Sequence, residues 1–187
     1  GVETKLVMKT VAVQTRREAP GRNRRKIQLG REAPGRNRRK IQLGRQVTAH
    51  QVGKALMFCV VDLRGIEIDF DYTLDGSKPP LKLFNPIGMC NPIVTKLESP
   101  KTIYEEGCLS FPDIRGDVER TDYIHCQYQD IDGDPHELEC NGLLGRCVQH
   151  EVDHLNGILF TERMKKKVLR KILPEINELR ARTAERL

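Results

Sequence analysis

Two histidines four residues apart bracket a glutamate in Gln149-His150-Glu151-Val152-Asp153-His154. No other stretch constrains this chain so strongly. On an α-helix, residues i and i+4 share a face, so this spacing predicts a helix that offers two imidazoles to one cation. Glu151 sits beside the first of them, where a carboxylate can take a proton from an activated water. The competing reading is a surface helix with two unrelated histidines. A third ligand and a pocket would decide between the two.

A catalytic site of this kind needs three protein ligands and one open position. His50, His125 and His136 are possible third ligands, although isolated histidines more often serve surface or core roles. Cys108 is a further candidate. It lies in Glu105-Glu106-Gly107-Cys108-Leu109-Ser110-Phe111-Pro112, where Gly107 permits close backbone approach and Pro112 is expected to stop a strand. The six cysteines are irregularly spaced along 187 residues. That pattern suits small core residues in a reducing compartment better than a disulfide framework.

The surrounding pattern is mainly strands followed by a helix, which predicts an α+β domain. Strands are expected over 57–63, in pieces at 82–86 and 91–95, and around 123–128. A turn at Asp132-Gly133 should return the chain through 136–140. Residues 64–80 read as loop. Asn141 is placed to cap the metal-binding helix and Gly157 to end it. Met164 to Leu187 reads as a second helix with an apolar face of Val168, Leu169, Ile172, Leu173, Ile176 and Leu179, started or interrupted at Pro174.

Charge divides the chain. Residues 16–45 hold twelve Lys or Arg and two Glu, although the net charge of the whole is only +6. Within this segment residues 17–30 are repeated without change at 31–44. Two identical copies suit a recent duplication or an artefact better than a solenoid. Three regions follow: an atypical basic segment over 1–45, a catalytic domain over 46–163 and a charged helix over 164–187. A basic arm could bind RNA, but no aromatic residue interleaves with its charges. No apolar run reaches membrane-spanning length and no signal-peptide core follows the N-terminus, so a cytoplasmic protein is expected.

Glu106-Gly107-Cys108-Leu109-Ser110, taken together with Gln149-His150-Glu151-Val152-Asp153-His154, resembles the peptide deformylase family over roughly residues 50–162. The resemblance implies antiparallel β-sheets around a central metal-binding helix, with a C-terminal helix. It implies one divalent ion, Fe(II) by preference and otherwise Zn, Ni or Co, held by Cys108, His150 and His154 with water in the fourth position. It makes Glu151 the general acid/base, and the Leu109 backbone N–H and the Gln51 amide the oxyanion donors. Gly44, Cys147 and Arg115 would border the substrate. The substrate would be a bacterial N-formylmethionyl nascent peptide, with the C-terminal helix near the ribosomal exit tunnel and no DNA or membrane partner. The family's first motif is altered here. Gly44, Ala49 and Gln51 match it, whereas Gln46 replaces its second glycine and His50 its proline. A second reading follows from that change, a catalytically impaired metal-binding relative associated with ribosome or RNA. A general metallopeptidase is the third reading, and the Cys108 motif argues against it.

Overall fold

Alternation of apolar and polar residues sets the architecture. In the computed structural model, which describes residues 45–49, 55–66 and 70–185, the strands bury every second side chain. Cys59 and Val61 of β2 (Phe58–Asp62), Ile87 and Met89 of β4 (Ile87–Lys96), and Ile124 and Cys126 of β7 (Ile124–Gln129) all face one core. With β1 (Arg45–Thr48), β3 (Tyr72–Leu74) and β8 (Pro135–Cys140) they form an antiparallel sheet in the order β1-β2-β4-β7-β8-β3. A separate two-stranded sheet pairs β5 (Lys101–Cys108) with β6 (Phe111–Thr121).

One helix, α1 (Gly142–Leu155), closes the larger core. Its Leu143, Leu144 and Val148 are almost wholly buried against the sheet. Each such side chain contributes about 1.5–3 kcal/mol through burial. A second core joins the small sheet to the C-terminal helix, α2 (Lys166–Ala184), through Ile114, Val118, Phe160, Met164, Ile172 and Ile176. The α+β class, the antiparallel sheets and the C-terminal helix are therefore as expected. No disulfide links any of the six cysteines.

Several local expectations are corrected. The stretch 64–80 is not all loop, since Tyr72–Leu74 adds an edge strand beside β8. Leu81–Leu83 forms a 3-10 turn instead of a strand. Pro92 does not divide β4; it falls where the register with β7 shifts between Cys90 and Ile93, a bulge that needs no proline N–H. Pro112 lies inside β6, an edge strand, and so does not stop it. Pro174 lies inside α2, which continues through it because Ile172 and Ile176 are buried on either side. Leu173 belongs to the exposed face.

Asn141 precedes α1, but its side chain does not cap the helix; it accepts the Asp71 N–H instead. Asp122 Oδ1 accepts the Gly142 N–H at 3.3 Å in its place. Gly157 ends the helix as expected, at φ 73°. The basic repeat lies outside the described residues.

Candidate metal centre

The turn Leu109-Ser110 between β5 and β6 leaves Cys108 at the end of a strand, facing α1. His150 and His154 project from that helix one turn apart. Cys108 Sγ lies 3.1 Å from His154 Nε2, which lies 3.1 Å from His150 Nε2. All three ligand atoms fall within 4.8 Å of one another. Among the described residues they are the one group of this kind, and so Cys108 fills the third place. His125 and His136 sit elsewhere: His125 lies near Glu137, and His136 between Asp75 and Asp130. His50 lies outside the described residues.

One sulfur and two imidazole nitrogens form a donor set suited to a borderline or soft divalent cation. The surroundings also fit. Glu106 Oε2 is 3.2 Å from His150 Nδ1, which turns His150 Nε2 toward Cys108 and His154. Arg120 holds Glu106 with two bonds, Nε to Oε1 at 2.7 Å and Nη2 to Oε2 at 3.0 Å. Arg120 Nη1 also reaches Asp153 at 2.7 Å, and Arg163 binds the same carboxylate at 2.6 Å. Arg146 Nη1 meets Glu106 Oε1 at 2.6 Å.

Charge within this cluster shifts its titrations. Burial alone would raise the Cys108 thiol, but His150, His154 and the Ser110 N–H outweigh it and bring it down to about 5. Burial likewise opposes charge on His150, yet Cys108 and Glu106 raise it to about 9. Glu106 is held far below the ordinary carboxylate range, since His150, Arg120 and Arg146 overcome its burial. For Glu151 burial wins over the neighbouring histidines and raises it to about 7. Its Oε2 is buried with no hydrogen-bond partner among the described residues. A carboxylate so placed is poised to exchange a proton near neutral pH.

The remaining expected residues divide. Leu109 follows Cys108 directly and is 73% exposed, open to an incoming ligand. Arg115 pairs with Gly107 across the small sheet, and a Cβ on Gly107 would meet Arg115 Cγ at 3.3 Å, so this arginine lies over the strand beside Cys108. Cys147 is wholly buried, one turn before His150. Gln51 and Gly44 lie outside the described residues. Gln46 is on β1 opposite Val61, with a buried side chain whose Nε2 has no partner among the described residues.

The supporting network of Glu106, Arg120, Asp153, Arg146 and Arg163 was not singled out from sequence. Its one visible signal is Arg120, a charge at the inward phase of a strand that buries Ile114, Gly116 and Val118.

Comparison with known proteins agrees with this geometry. Residues 13–170 match the family model described as polypeptide deformylase. A peptide deformylase of Opitutus terrae is 54% identical over 134 residues, covering 71% of this chain and 70% of that protein. Peptide deformylase 2 of Gloeobacter violaceus is 38% identical over 65% of this chain and 61% of its own length. Among solved structures, Arabidopsis thaliana peptide deformylase 1B matches 75% of this chain and 69% of its own, with a TM-score of 0.62 and 30% identity. The Thermotoga maritima enzyme covers 64% of this chain and 69% of its own, with a TM-score of 0.52 and 32% identity. This chain belongs to the peptide deformylase family, metal-dependent hydrolases that remove the formyl group from N-terminal formylmethionine.

Proposed function

We propose that this chain deformylates new proteins with a single divalent ion held by Cys108, His150 and His154. The observation that carries this reading is the meeting of a thiolate and two imidazoles within 4.8 Å, beside a buried glutamate. The ion, when bound, supplies Lewis acidity that acidifies water and polarises a carbonyl oxygen. Fe(II) is the ion we assign, with Zn, Ni or Co able to take its place.

Glu151 accepts a proton from the attacking water and passes it to the leaving amine as the C–N bond breaks. Formate and a free N-terminal methionine result. The Leu109 N–H donates to the oxyanion, and Gln51 is its second donor on the strength of the sequence motif. Arg115 steadies the peptide backbone, while Cys147 and Gly44 border the methionine side chain. Exposed Lys166, Lys167 and Arg170 of α2 are the surface we assign to the ribosome near the exit tunnel, in the cytoplasm. No helix among the described residues is long and apolar enough to cross a membrane. No observation favours the impaired alternative.

The test is mass spectrometry of formyl-Met-Ala-Ser after incubation with iron-loaded protein under reducing, oxygen-free conditions. Loss of the formyl group with both peptide bonds intact is expected. Cleavage of an internal bond would favour a general peptidase. Cys108→Ala should abolish metal binding, and unchanged metal content in that variant would remove Cys108 from the ligand set.

A further inference from the structure

The ligand set is divided between two elements that belong to different sheets' packing. Cys108 ends β5 of the two-stranded sheet, whereas His150 and His154 lie on α1, which packs against the six-stranded sheet. Metal–ligand distances tolerate only about ±0.2 Å, so something must fix the small sheet relative to the helix.

Arg146 is built to do this. It lies one turn before His150, and its side chain is 3% exposed. Nη1 donates to Glu106 Oε1 at 2.6 Å and to the Val118 carbonyl at 3.2 Å. Nη2 donates to the Thr102 carbonyl at 2.9 Å and to Thr102 Oγ1 at 3.0 Å. The guanidinium carbon sits 4.7 Å from the centre of the Tyr104 ring. One side chain of α1 thus grips both strands of the small sheet, and it does so through the carboxylate that also meets His150 Nδ1.

We propose that Arg146 is a positioning residue for the metal centre. It sets the spacing between Cys108 on β5 and the two histidines on α1, and it fixes the Glu106 carboxylate against His150. Arg146 itself meets no ligand atom. The proposal rests on the ligand assignment above. Stability alone does not account for such an arrangement, because a buried ion pair is often replaced by apolar side chains with no loss of stability. A planar, rigid fork instead fixes geometry across several acceptors at once, which a lysine with one flexible ammonium does not reproduce. Glu106 keeps its two bonds from Arg120 when Arg146 is removed, so variants at 146 are expected to fold.

The test uses the full chain, Co(II) as the probe, and the variants Arg146→Lys and Arg146→Met. Co(II) affinity is measured by competition with a chelator. The thiolate-to-cobalt absorption band reports whether sulfur remains bound, and circular dichroism reports folding. The expected result is folded protein with roughly tenfold or greater loss of Co(II) affinity in R146M and a weakened thiolate band. R146K should recover thermal stability but not the full affinity. Wild-type affinity and an unchanged band in both folded variants would overturn the proposal. If neither variant folds, Thr102→Val decides, since it removes one acceptor and leaves every charge paired. A several-fold weaker affinity is expected there, and an unchanged one overturns the proposal. A wild-type protein that binds Co(II) without a thiolate band would instead overturn the ligand assignment beneath it.

Discussion

Glu151 and Arg120 show how burial yields opposite outcomes. Around Glu151 burial dominates and leaves a carboxyl that titrates at about 7. Around Arg120 the burial cost is more than offset by Glu106 and Asp153, and the guanidinium is held more firmly protonated. Glu151→Gln should keep the metal but lower formate release by roughly 10²–10⁴-fold, the usual contribution of a positioned acid/base. Metal analysis beside the rate separates this loss from a loss of the ion. Arg120→Ala should cost about 3–5 kcal/mol, because it strands two buried carboxylates. Urea unfolding of the metal-free protein measures that loss. At this scale the sequence disclosed the four residues whose types carry chemistry: Cys108, His150, Glu151 and His154. It did not disclose their support. Glu106 and Arg120 are paired across the small sheet, and Asp153 joins them from the helix, so that contact exists only after folding.

Secondary structure was legible where a residue acts locally and misleading where tertiary context decides. Gly157 at φ 73° and the Asp132-Gly133 turn behave as their backbone freedom dictates. Prolines were poorer guides. Pro92, Pro112 and Pro174 each lie within an element, at a bulge, on an edge strand and inside α2 respectively. Their missing N–H is tolerated where no ladder partner needs it, or where burial on either side holds the element together. Pro174 lies in an exposed turn of α2, between the buried Ile172 and Ile176. Replacing it with Ala should stabilise the protein by about 1–3 kcal/mol by restoring a helical hydrogen bond. A raised melting temperature checks this, and the rate of formate release should not change. Phe160→Ala should cost about 3–5 kcal/mol. Phe160 is 1% exposed, with its ring 5.4 Å from Phe111 and 6.2 Å from His150, so activity should fall together with stability.

Across the whole molecule, an ion cluster joins the turn after β3 to the β7–β8 hairpin, far along the sheet from the metal centre. His136 Nδ1 meets Asp75 Oδ2 at 2.7 Å, and its Nε2 lies 3.5 Å from Asp130 Oδ2. Asp75 and then Asp130 raise the His136 pKa against a small opposing effect of burial. Stability from His136 is therefore fully present below its ordinary value of about 6.5 and is lost as pH rises through the higher folded value. Asp75 and Asp130 are shifted down despite burial, by backbone N–H groups and His136, so their contribution is lost as pH falls through their folded values. His136→Gln should flatten the decline of stability on the alkaline side, measured as the urea midpoint against pH. The fold class and the central helix were legible because hydrophobic alternation and the histidine spacing are properties of sequence itself. The most direct measurement of the central claim is formate released per formyl-Met-Ala-Ser by the iron-loaded full chain, beside a Glu151→Gln variant of equal metal content. One formate for each substrate consumed, almost absent in the variant, is the predicted result. Wild-type protein that holds its metal on Cys108, His150 and His154 yet releases no formate would contradict it.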